Sequence, residues 1–170
     1  MDETEDLIIT ISDVFKKLND SCEYFYSDML KLFPNMETID KTHAKVVSLI
    51  AINYAFLDGL RRYKVPDEKV KKIIDIICYM LNHIEPRLVE MINECEKYVF
   101  NLKEILRNKK GPQCTPLFLR VFPYGCWIFE KLYTRPPAKE SQDEMKQALA
   151  FGEFIVIRAI LFVSDKKKSL

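Results

Sequence analysis

The chain has 170 residues, 48% of them hydrophobic and only 4 of them Gly, which is enough apolar material for one core of ordinary domain size. Lys plus Arg total 26 against 25 for Asp plus Glu, so the chain lacks the basic excess that phosphate neutralisation favours, and bulk nucleic-acid binding is not expected. Five cysteines, Cys22, Cys78, Cys95, Cys114 and Cys126, form an odd set, and no charged-plus-apolar leader precedes Asp2 to Glu5. Both features point to free thiols in a reducing compartment, cytoplasmic or nuclear.

Apolar residues at alternating spacings of three and four, Ile8, Ile11, Phe15, Leu18, Cys22, Phe25, Met29 and Leu32, predict one long helix over about residues 4 to 33. Thr4 is placed to cap it, Glu5 and Asp6 suit its first turn, and Pro34 ends it. At about 1.5 Å per residue such a helix reaches about 45 Å, longer than a compact domain of this size needs. The excess seam makes Ile8, Ile11, Phe15 and Leu18 candidates for self-association, giving a homodimer.

A second helix is expected from about Asp40 to Tyr63, with Val46, Leu49, Ile50, Phe56, Leu57, Leu60 and the polar Asn53 on its inner side. Pro66-Asp67-Glu68 opens a third, with seam Val70, Ile73, Ile77, Met80 and Ile84. Pro86 kinks or breaks it, and Leu88, Met91, Cys95, Tyr98, Leu102 and Ile105 carry the spacing on to about Arg107. Lys109-Lys110-Gly111-Pro112 reads as a loop. The aromatic segment Phe118, Phe122, Tyr124, Trp127, Phe129 and Tyr133 is expected to break at Pro123 and Gly125 into a short turn of helix and a better one, closed by Arg135-Pro136-Pro137. The last helix, about Ser141 to Val163, starts with Ser141 and Glu144 at capping-box spacing and is apolar enough from Ala148 to be surrounded by the others. No repeat or low-complexity stretch appears. The fold class is therefore all-α, a compact bundle of five to six helices kinked at Pro86, forming one domain over residues 1–170 with a basic tail from about 165.

Motifs for chemistry are absent. The two histidines, His43 and His83, stand apart from any HExxH, CxxC, glycine-rich phosphate loop or GxSxG pattern, so no catalytic, metal or cofactor residue is assigned. Cys22, Cys78 and Cys95 read as small core residues, and the acidic pairs Glu3 with Glu5 and Asp143 with Glu144 suit helix starts. An enzyme ranks third among the function classes, with Cys126 and His83 the residues to change first. His43 reads as a surface or capping residue, Asn53 as a buried amide that needs partners and sets register, and Glu153 and Arg158 as projecting from an edge of the last helix.

Residues 148–163 followed by Lys166-Lys167-Lys168 resemble a tail anchor, and Lys167 with Lys168 a dilysine signal. The stretch falls short of the roughly 20 apolar residues a bilayer span needs, and a central charge costs about 2.5 to 3.5 kcal/mol. No membrane span is expected. Size, helix count and an apolar helix make the chain similar in shape to a Bcl-2-like bundle. That family's Asn-Trp-Gly-Arg signature is missing, Asp58-Gly59-Leu60-Arg61 being a poor substitute, so the likeness is one of shape alone.

Most of the aromatic rings are expected to fill the core beside the last helix. The rest could line a groove, which makes Phe118, Phe122, Tyr124, Trp127 and Tyr133 candidate partner-binding residues. The reading is a non-enzymatic helical interaction module, an adaptor or scaffold subunit, whose apolar groove takes a short helix or linear peptide of a protein partner. The alternative is a carrier or sensor of a hydrophobic small molecule, suggested by the seams containing Met and Phe.

Overall fold

Asp2 accepts a hydrogen bond from the Thr4 amide (3.4 Å) and so caps the first helix, a residue or two before the expected Thr4. A computed structural model describes residues 2–109, 115–166 and 170, and these residues are mostly helical with no strand among them. In chain order the elements are α1 (Glu3–Ser21), α2 (Phe25–Leu32), a 3-10 turn (Pro34–Thr38), α3 (Lys41–Arg62), α4 (Asp67–Ile84), α5 (Arg87–Asn108), α6 (Pro116–Tyr133) and α7 (Gln142–Lys166). Lys110 to Pro112 of the expected loop, Cys114, and Lys167 with Lys168 lie outside the described residues.

The long first helix is two helices. Asn19, Asp20 and Ser21 compete with the backbone for hydrogen bonds, and the Ser21 hydroxyl donates to the Leu18 carbonyl at 2.6 Å. The Cys22 amide then turns back to Asn19 and Asp20, and α2 starts three residues on. Leu18, Cys22, Phe25 and Met29 nevertheless all stay buried, so the seam keeps its face while the backbone breaks. The interruption expected at Pro86 is present: Glu85 is extended (φ −161°, ψ 127°), which separates α4 from α5.

Two helices form the centre. α3 is buried almost all round from Ile50 to Leu57, including Asn53, whose Nδ2 donates to the Leu49 carbonyl (2.8 Å) and to Asn19 Oδ1 (3.2 Å) while its own Oδ1 has no partner among the described residues. α7 packs on α6 and α3 but keeps an outer face at Glu153, Ile157 and Leu161, so it is not fully surrounded as expected. It is long and apolar enough to cross a bilayer by length and composition, with half of its most apolar window buried inside the protein. Its start is held by Ser141, which accepts from the Glu144 amide, and by Glu144, which accepts from the Ala138 amide and pairs with Arg135.

α6 is continuous through Pro123 and Gly125, where a break was expected. A helix interior tolerates a missing N–H when tertiary packing holds it, and every residue from Val121 to Phe129 is buried. Gly125 serves a close crossing instead, since a Cβ there would lie 1.6 Å from the Ala148 carbonyl oxygen of α7.

Candidate functional site

The aromatic segment is mostly core. Phe122, Tyr124, Trp127 and Phe129 are buried, and Trp127 lies under Lys131, whose ammonium is 5.8 Å from the indole and 2.6 Å from Glu94 of α5. Tyr133 is half-buried and accepts from buried Gln147 (2.8 Å), which in turn accepts from Asn35 (3.1 Å). These rings are enclosed by their own chain, so Phe122, Tyr124 and Trp127 present no surface to a partner in this conformation. Of the expected binding residues, Phe118 is half-buried at the start of α6, stacked on Phe122 with centroids 4.6 Å apart.

Ile11, Phe15 and Leu18 are likewise buried, where α1 meets α3, α4 and α7. α1 has 19 residues, so the extra length that motivated a second copy is missing, and only Ile8 of the four candidates is exposed. His43 is exposed as expected, with its Nε2 3.0 Å from the Lys131 carbonyl. Cys126 is buried and its thiol is pushed up to about 12 by desolvation, while exposed His83 contacts Tyr79 on its own helix, so the two do not form an activated pair. Glu153 is exposed, and Arg158 is half-buried with its guanidinium 3.4 Å above the Phe154 ring.

A polar cluster that the periodicity missed lies between α3, α5 and α6. Asp58 Oδ2 accepts from Lys103 Nζ (3.3 Å), Arg62 Nε (3.2 Å) and the Tyr124 hydroxyl (3.3 Å). Burial alone would raise the Asp58 carboxyl, but Lys103 and then Arg62 hold it below its ordinary value. Burial lowers the Lys103 ammonium against the opposing pull of Asp58, and raises the Tyr124 phenol. The signal was in the sequence: Leu88, Ile92, Cys95 and Val99 are the true α5 seam, and its next step falls on Lys103. A lysine on a seam demands a buried counter-charge, which Asp58 supplies.

An apolar hollow of about 210 Å³ opens between the start of α6 and the middle of α7. Leu117, Phe118 and Val121 form one side, and Leu149, Glu153 and Ile157 the other. Leu117 is 66% exposed, Ile157 51% and Leu161, one turn further along α7, 64%. Within this apolar strip Glu153 has no hydrogen-bond or ion-pair partner among the described residues. Leu117, Leu149, Ile157 and Leu161 were not among the expected site residues, because on a nearly all-apolar helix the outward stripe has the same composition as the inward one.

The chain matches no known family model, no curated protein and no solved structure.

Proposed function

We propose that the protein is a non-enzymatic helical interaction module that receives an amphipathic helix of a protein partner in the groove between α6 and α7. The observation that carries this reading is the strip of exposed Leu117, Ile157 and Leu161 around the carboxylate of Glu153, which has no ion-pair partner among the described residues. Apolar side chains at helical spacing match the spacing of apolar anchors on a docked helix. Each of these side chains is half to two-thirds exposed, so covering it fully contributes about 1 to 2 kcal/mol. Glu153 favours a partner with Lys or Arg beside its apolar anchors, because a carboxylate covered without a cation would be costly. The hollow is open and about 210 Å³, below the roughly 300 to 1,000 Å³ of enclosed small-molecule sites, which favours a helix over a carried ligand.

Selection of displayed helical peptides against the protein, with counter-selection on Ile157→Glu, tests the reading. Enrichment of amphipathic helices with a basic residue next to the apolar face is expected. Enriched peptides that bind both proteins equally would overturn it.

A further inference from the structure

The hollow between α6 and α7 has a size and a charge that select what enters it. At about 210 Å³ it is little larger than the roughly 150 Å³ cavity that accommodates benzene, so it seats one ring-sized side chain and not two. Phe118 lines it and is held by stacking on buried Phe122 (centroids 4.6 Å apart), which gives an entering ring an aromatic neighbour.

Among the described residues two polar side chains line the hollow, Thr115 and Glu153. The Thr115 hydroxyl is occupied at the cap of α6, where it accepts from the Phe118 amide (3.1 Å). Glu153 has no such engagement, and its own helix cannot supply one: the residues three and four positions away on either side are Ala150, Leu149, Val156 and Ile157. Arg120 of α6, next in sequence to Val121 of the opposite wall, does not line the hollow. Leu149, Glu153, Ile157 and Leu161 follow one another a turn apart along α7, so the carboxylate stands in one stripe with apolar side chains before and after it. On a docked helix, residues three or four positions apart share a face. A cation one turn from a side chain seated in the hollow therefore lies alongside Glu153, whereas one two positions away points off the groove.

The helix-docking role proposed above is the basis on which we infer that the partner helix carries a single aromatic anchor, seated in this hollow against Phe118, and a Lys or Arg one helical turn from it that pairs with Glu153. Loss of the anchor uncovers the hollow, and loss of the cation leaves a carboxylate covered without a counter-charge.

Designed amphipathic helical peptides titrated against the protein by fluorescence anisotropy test this. Two peptides carry one Trp on the apolar face and a Lys one turn before or one turn after it. The tighter of the two should lose about tenfold or more in affinity when its Trp becomes Ala. It should lose about threefold when its Lys is moved to the opposite face. Glu153→Lys, at an exposed position, should reverse the preference, so that the peptide with Glu in place of Lys binds more tightly. Ile157→Gln, polar but uncharged, should weaken every peptide. Binding that Ile157→Gln weakens but that ignores the Trp or the place of the Lys, or whose preference Glu153→Lys leaves unchanged, would overturn the anchor assignment and leave the docking role standing. Binding by none of the peptides, or indifference to Ile157→Gln, would overturn both.

Discussion

Gly125 of α6 and Gly152 of α7 lie each against the other helix's backbone: a Cβ on Gly152 would come 2.2 Å from the Val121 carbonyl oxygen and 3.1 Å from the Gly125 nitrogen. Backbone cannot step aside as a side chain can. Gly125→Ala and Gly152→Ala should therefore each cost about 1 to 3 kcal/mol or more, outweighing the roughly 1 kcal/mol by which Ala favours a helix. Gly59→Ala would meet a Val163 methyl at 2.9 Å and should lie closer to neutral. Urea unfolding read by circular dichroism ranks the three, and a Gly59 variant as damaged as the Gly125 variant would contradict the ranking.

Trp127 and Tyr124 are stability residues. Trp127→Ala empties a fully buried volume and should cost about 3 to 5 kcal/mol. Leu117→Ser, at an exposed position, should stay within about 0.5 kcal/mol of the parent. Thermal unfolding of the two variants checks the contrast.

Asp58 and Lys103 should behave as a unit. Asp58→Asn alone leaves the Lys103 ammonium poorly compensated and should cost about 3 kcal/mol or more, part of it recovered when Lys103→Met is added, whereas Lys103→Met alone should cost less because Arg62 and Tyr124 still hold the carboxylate. The pH dependence has a definite sign. Since Lys103 and Arg62 hold the Asp58 carboxyl below its ordinary 3.8 against the effect of burial, the unfolded chain takes up the proton first. The stabilisation is complete above that value and is lost as pH falls through the lower folded-state value, so the stability gap between parent and Asp58→Asn should close below about pH 4. A gap that widens in acid would contradict the assignment.

The helices and most of the core are legible from spacing alone, because burial of one face demands the three-and-four repeat. Two breaks were misplaced for physical reasons. At Cys22 the apolar phase continues across a turn, so periodicity cannot register it, and only the Asn19-Asp20-Ser21 run carries the signal. At Pro123 the local rule predicts a break, but burial on both sides keeps the helix intact. The polar cluster escaped notice because Asp58 and Lys103 are 45 residues apart and meet only in the fold. The outward strip of α7 could not be told from its inward face until α3 and α6 were placed against it.

The central claim is that the α6/α7 groove receives a helix from another protein, and site-specific photocrosslinking tests it most directly. A photoreactive phenylalanine analogue at position 157, in the groove, is compared with one at 79, an exposed aromatic position on α4. The account predicts a crosslinked protein at 157 and not at 79, joined through an amphipathic helix that bears a basic residue close to the site of linkage. Equal products at both positions, or a link at 157 to a second copy of this chain or to lipid, would contradict it.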